Sequence, residues 1–257
     1  AEPGLAARLL AVAARIDGAP ALLVPLYTND AVVELDFDGN ERRRVACDGP
    51  WGAWPLPDDR VATLSYSDGH VCERTWHGDV EAVHELHQNL TSLRVLDDGD
   101  RVTTSWREEG LLVRLAPDGT ERWRVGVSGI RMDRHFGDEL FVLTRDDPAL
   151  RVFSAAGEPL RATKVPAGCR GFHLLPSGGV LLATRGDEVV ELGPDGSTVA
   201  TRAVPGKPND VFRLRDGRTV VACERGLVLL APDGSELWRK ELGYCGPLFV
   251  REPAGGR

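Results

Sequence analysis

"LVLLAPDGSELWRKELG" occupies Leu227–Gly243. An apolar burst, a Pro-Asp-Gly turn and a polar stretch carrying a Trp follow one another. "LVRLAPDGTERWRVGV" (Leu112–Val127) repeats that order, and "VVELGPDGSTVATRAV" (Val189–Val204) is a third copy. Anchored on the turn glycines Gly39, Gly78, Gly119, Gly157, Gly196 and Gly234, the copies lie 39, 41, 38, 39 and 38 residues apart. A fixed period of this size means stacked supersecondary units, as in solenoids and propellers.

The units are β-branched rather than helical in pattern. "NDVFRL", "TVVACER", "LVLLAP" and "ELWRKEL" succeed one another, separated by Gly, Asp and Pro residues that suit hairpins. Four short antiparallel strands per unit make one propeller blade. The expected fold is therefore all-β: a six-bladed β-propeller of four-stranded antiparallel blades. "GPLFVREPAGG" (Gly246–Gly256) resembles the first strand of a unit whose remainder is missing. "ALLVPLY", "AVVELDF" and "NERRRVAC" resemble strands two to four of a unit lacking its first. Joining them closes one blade from both chain ends, with Gly246–Glu252 beside Ala21–Tyr27, and removes the open edge. Residues 19–257 form one domain. Residues 1–18 are a lead-in, with a short amphipathic helix expected over 4–16. In this reading the apolar burst packs between blades, Pro-Asp-Gly turns the chain, and the Trp staples the outer strand.

The 257 residues carry a formal charge of −8 and are 42% hydrophobic, a globular composition able to bury a core. The negative charge argues against nucleic acid and anionic membranes as partners. No apolar run approaches the ~18 residues of a membrane span. Five Cys without tight spacing favour free thiols and a reducing, cytoplasmic setting, although a removed signal peptide is compatible with a chain that starts at Ala1. A monomer is expected.

The "PDGxExW" copies resemble the repeats of pyrroloquinoline-quinone-type propellers. "KPNDVFRLRDGRTVVA" (Lys207–Ala222) and "GPWGAWPLPDDRVATLS" (Gly49–Ser65) resemble gluconolactonase, strictosidine-synthase and NHL-repeat propellers. No quinone is expected, because the Trp recurs clearly only at Trp123 and Trp238, and no nucleotide cofactor is expected either. The resemblance implies that the first strand of each blade lines a central channel and that loops between blades form its mouth. It also implies one divalent cation held in the channel. "PND" (Pro208–Asp210) is similar to one cation-holding segment, which carries a ligand role to Asn209. "CGP" (Cys245–Pro247) stands where the family has Glu-Gly-Pro, so Cys replaces the acid.

The expected inner strands are 51–56, 91–96, 131–136, 170–175, 209–214 and 247–252. They contain Arg94, Arg131, Arg134, Arg170, Arg213 and Arg251 against Asp133, Asp210 and Glu252. A basic interior in an acidic protein would draw an anion; the alternative is that these arginines pair with acids between blades. Aligned loops put Cys47, His87, Cys169 and Cys245 at the mouth, with Asn89, Asn209 and Asp210 at a similar level. Four of the six His fall in Gly69–Asn89, but on strands they do not converge; only His87 is a candidate. Trp51, after Gly49-Pro50, suits stacking on a ligand or packing equally. No local Ser/His/Asp or GxSxG motif occurs.

The first functional reading is an enzyme of hydrolase, lyase or cyclase type acting on a small anionic or polar substrate. Cys245, His87 and Asp210 are its catalytic candidates. Trp51, Arg131, Arg170 and Asn89 would bind the substrate, and Cys245, Asn209 and His87 would hold a metal. The second is a non-catalytic module that binds a small ligand or a protein. The third is a structural protein docking a partner through its N-terminal helix.

Overall fold

A computed structural model describes residues 21–252 apart from 57–58, 67–68, 86–89, 96–99, 106–109, 117, 119 and 137–138. The helix expected over 4–16 lies outside them. Among the described residues, 24 strands form six four-stranded antiparallel sheets, each a blade. The first strands are Phe249–Arg251 in blade one, Pro50–Leu56 in two, Leu90–Val95 in three, Ile130–Phe136 in four, Cys169–Leu174 in five and Pro208–Arg213 in six. First strands of neighbouring blades touch one another, which sets them around the centre of the ring.

Blade one is closed from both ends. Ala21, Leu22 and Leu23 pair with Arg251, Val250 and Phe249, and Leu26 bridges to Cys245. Where strands two and three lie between neighbouring sheets with both faces covered, both faces are apolar. "TVVAC" (Thr219–Cys223) and "GLVLL" (Gly226–Leu230) are buried throughout. Leu22, Val24 and Val33 of blade one pack on Val220, Ala222 and Leu229 of blade six, joining the ends through apolar contact. The fourth strand faces water, and Glu236–Glu241 accordingly alternates between exposed and half-buried residues.

The repeated turn explains the opening sequence. In "APDGS", Asp233 Oδ1 accepts from the backbone N–H and the hydroxyl of Ser235, at 2.9 and 2.7 Å. Gly234 takes φ +91°, which only glycine adopts freely, and the ladder bulges there at Leu229/Leu230. The Trp reaches further than its own blade. Trp238 of blade six donates its indole N–H to the Phe37 carbonyl of blade one at 3.0 Å, with its ring against Gly39. Trp123 of blade three does the same to Ala155 and Gly157 of blade four. The Trp of one copy thus docks on the glycine turn of the next.

One buried ion pair spans four consecutive blades. Arg134 of blade four donates to the Phe172 carbonyl of blade five at 2.7 Å and to both oxygens of Asp210 in blade six at 2.8 Å. Asp210 is fully buried and also accepts from the backbone N–H of Val211 and of Leu248, the residue that leads into the closing strand. Each carboxylate oxygen therefore accepts two hydrogen bonds, which fills its capacity. Asp210→Ala should cost about 3–5 kcal/mol, the usual result of stranding a buried charge. Urea unfolding checks this, and the Leu248 amide should lose most of its hydrogen-exchange protection. An unchanged midpoint with Leu248 still protected would refute the assignment.

Candidate functional site

Two sequence positions recur in each blade at the end of the ring where chains pass from blade to blade. The first is a β-bulge at the second residue of the inner strand. The register slips between Pro50 and Gly52, Leu90 and Ser92, Ile130 and Met132, Cys169 and Gly171, and Pro208 and Asp210. The unpaired residues are Trp51, Thr91, Arg131, Arg170 and Asn209. In blade one, Leu26 faces Cys245 while Leu23 faces Phe249, so the extra residue falls in the Gly246 segment. A bulge leaves its residue outside the ladder and re-aims it; Trp51, Arg131, Arg170 and Asn209 line the mouth.

The second position directly follows strand two. Tyr27, Tyr66, Arg145, Arg185 and Glu224 each donate their backbone N–H to a carbonyl just before an inner strand: Tyr244, Gly49, Gly129, Gly168 and Gly206 respectively. This shared bond makes them equivalent. Blades one and two offer aromatic rings there, and blades four to six offer charges. Trp106, the corresponding residue of blade three, lies outside the described residues.

Trp51, Arg131, Arg170 and Asn209 of the first set and Arg185 of the second meet in a cleft of about 120 Å³, lined also by Met132, Tyr244 and Cys245–Pro247, with the other residues of the second set behind its walls. One wall is aromatic. Trp51 stacks on Tyr244 at 6.1 Å between centroids, with Tyr27 at 6.0 Å and Tyr66 at 5.1 Å. The chain has only three tyrosines, and all three are here. The other wall is cationic. Arg170 donates to Asn209 Oδ1 and to Glu224 Oε1, the latter at 2.8 Å. Arg145 pairs with Asp146 at 2.6 Å.

Arg131 and Arg185 form no ion pair among the described residues, although the charge of Arg131 helps to hold Asp146 low from a longer distance. Burial, then the charges of Arg145, Arg185 and Arg170, holds the Arg131 guanidinium below its ordinary pKa. Burial raises the Tyr244 phenol above its usual value despite those arginines. For Glu224, burial pushes upward, but the hydrogen bond and charge of Arg170, with Lys207, outweigh it and keep the carboxyl low.

Five of the expected site residues meet here: Trp51, Arg131, Arg170, Asn209 and Cys245. His87 and Asn89 lie outside the described residues. Asp210 sits beside Asn209 but is saturated by the interblade pair, so it holds the ring rather than facing a substrate. Half of the expected basic interior is likewise structural. Arg134 pairs with Asp210, Arg213 with Glu191 at 3.2 Å and Arg251 with Glu34 at 3.5 Å. His173 stacks on Phe212 at 4.1 Å, and burial, with Arg134 and Arg213 nearby, drives its pKa down to about 3.

Cys245 is fully buried, its Sγ directed at the Gly243 carbonyl at 3.6 Å, and burial raises its pKa strongly. Its thiol is protonated at neutral pH, which does not suit a nucleophile. Asn209 Oδ1 already accepts from Arg170 and, at 3.4 Å, from the Tyr244 hydroxyl. Flanking guanidiniums repel a cation, so these residues fit a divalent metal poorly. Among the described residues no three His, Cys, Asp or Glu side chains gather as a metal site requires.

No family model matches the chain, and no curated protein matches it in sequence. Solved structures do match its fold. A Bacteroides caccae protein of unknown function superposes with TM-score 0.71 at 13% identity, covering 91% of this chain and 100% of its own. A chain of a nidogen/laminin complex gives 0.69 at 12% identity, over 90% and 98%. A functionally unknown protein from Desulfotomaculum acetoxidans gives 0.60 at 11%, over 92% and 100%. These likenesses establish the propeller and nothing about activity.

Burial also raises the thiols of Cys47, Cys169 and Cys223 to about 12. In the unfolded chain each would ionise near ~8.5. Above that pH the unfolded state loses protons that the folded state keeps, so stability falls as pH rises, by up to ~1.4 kcal/mol per pH unit for each thiol. Denaturant midpoints at pH 7 and pH 10 should therefore diverge, and native alkylation at pH 8 should spare Cys47, Cys169, Cys223 and Cys245. Rapid native labelling of Cys245 would overturn the buried-thiol assignment.

Proposed function

We propose that this propeller binds a small anion in the cleft between Arg131, Arg170 and Arg185, as a binding site rather than a catalytic one. The observation that carries the reading is Arg131. A half-buried guanidinium without an ion pair, beside Arg185, which also has none among the described residues, and the paired Arg145 and Arg170, leaves a net positive potential that an entering carboxylate or phosphate would neutralise. Arg170 supports it: both of its protein bonds use Nη1, which leaves Nε and Nη2 without a protein acceptor among the described residues. The resemblance to gluconolactonase-type propellers would put a cation beside Asn209. The charge around that residue favours an anion instead. Binding is favoured over catalysis because no described lining group combines access with a pKa near neutrality. The Cys245 thiol and Tyr244 phenol are held protonated, and Glu224 is held ionised against Arg170.

Arg131→Gln tests this directly. A charged hydrogen bond is worth about 1.5–3 kcal/mol, so anion affinity should fall roughly tenfold to a hundredfold by calorimetry. Stability should stay level or rise, because the substitution removes repulsion and breaks no ion pair. Unchanged affinity for every carboxylate and phosphate that the native protein binds would defeat the proposal, as would the native protein binding none.

A further inference from the structure

Resting on that reading, the geometry points to a ligand whose anionic head, carboxylate or phosphate, is carried on a single aromatic ring. The cleft is built in two halves. Arg131, Arg170 and Arg185 form the cationic part of the lining, while Trp51, Tyr244 and Pro247 form an apolar, ring-bearing part that adjoins it, close enough for the Tyr244 phenol to feel all three guanidiniums. A site for a bare inorganic anion has no use for the second half. A site for an aliphatic acid would be served by the Val and Leu residues that this sequence uses everywhere else.

The aromatic wall is prepared for contact rather than for core packing. Tyr27, Trp51, Tyr66 and Tyr244 come from two successive blades and the segment that joins the ring, and each keeps part of its surface open. Trp51 is fixed from several sides. Tyr244 lies nearly parallel to it at 28°, Tyr27 meets it edge-on at 85°, and Tyr66 is tilted at 44°. Tyr27 also holds Tyr66 edge-on at 5.6 Å. Backbone bonds lock the arrangement, with Tyr27 N–H on the Tyr244 carbonyl at 3.0 Å and Tyr244 N–H on Thr28 Oγ1 at 3.1 Å. A ring held rigid before the ligand arrives loses little freedom on binding.

Size narrows the class. A cavity of about 150 Å³ accepts benzene. The cleft, at about 120 Å³ and open to solvent, is of the scale of a single ring, with the rest of a ligand reaching towards solvent. The head group would lie on the unpaired Arg131, and the ring would stack on Trp51 and Tyr244.

Calorimetry on the intact protein with benzoate, phenyl phosphate, cyclohexanecarboxylate, acetate and inorganic phosphate tests the inference. Benzoate or phenyl phosphate should bind roughly threefold to tenfold more tightly than cyclohexanecarboxylate, the margin an aromatic pair adds beyond burial. Acetate and inorganic phosphate should be weaker still. Comparing benzoate with phenyl phosphate identifies the head group. Trp51→Leu should remove the aromatic margin, and Trp51→Phe should restore most of it. Cyclohexanecarboxylate binding as tightly as benzoate would overturn the ring assignment while leaving the anion site standing. Inorganic phosphate or acetate binding as tightly as the aryl ligands would do the same. Failure of all five to bind would remove the anion site itself. The ligand comparison on the native protein decides the matter even if Trp51→Leu does not fold.

Discussion

The Arg134–Asp210 pair is the contact on which ring closure and site geometry both depend. The closing strand is only three residues long and pairs with Ala21–Leu23 alone, a marginal ladder by itself. Asp210 supplements it by accepting the Leu248 N–H just before that strand begins. Removing a carboxylate from water costs several kcal/mol, and Asp210 is fully buried. The cost is offset because four hydrogen bonds satisfy both oxygens and Arg134 supplies the opposite charge. Gly171 makes the approach feasible: any side chain there would run into the Asn209 carbonyl and the Asp210 Cα. Fixing Asp210 also fixes Asn209, the bulged residue next to it, and through Asn209 the direction of Arg170.

A repeated fold creates a site by varying positions that its own ladder does not need. The bulged residue of the inner strand is outside the hydrogen-bonding register, and the residue after strand two contributes only its backbone N–H to the frame. Side chains at both positions are therefore free to change from blade to blade without weakening any sheet. Here they divide the face. Tyr27, Tyr66 and Trp51 come from blades one and two. Arg131, Arg145, Arg170, Arg185, Asn209 and Glu224 come from blades four to six. Gly246 stands where blade one would place its own bulged side chain, and a Cβ there would press on the Trp51 carbonyl oxygen and Pro25.

The fold was legible because its period is carried by residues with a local job. Gly39, Gly157 and Gly234 must turn at positive φ, so they survive as markers, and apolar runs such as "TVVAC" must fill interblade gaps. The docking of Trp238 on Gly39 was not legible, since the two are far apart in the chain and adjacent only once the ring closes. Trp51, Arg131, Arg170 and Asn209 could be picked out by aligning inner strands. Arg185, Tyr27 and Tyr66 were missed because attention to inner strands passes over the residue after strand two, and Tyr244 because it lies in the segment before the closing strand. A signal for that position was present: "ELFVLTR", "GVLLATR" and "TVVACER" end their apolar runs in Arg145, Arg185 and Glu224. Charge counting could not sort structural from available arginines. Arg134 and Arg131 are three residues apart on one strand, yet one enters a buried ion pair and the other, at the bulge, lines the mouth.

That sorting is what gives the site its sign. The protein as a whole is acidic, and most arginines described here are matched at short range: Arg213 by Glu191, Arg251 by Glu34, Arg145 by Asp146, Arg170 by Glu224. Matched pairs cancel at distances beyond the Debye length, so they contribute structure and little field. Arg131 differs in being partly removed from water, facing like charges and lacking an ion pair. Its repulsion from Arg145, Arg170 and Arg185 is a standing cost to the folded state. An anion in the cleft would convert that repulsion into attraction, and the adjoining ring wall would then decide which anion stays.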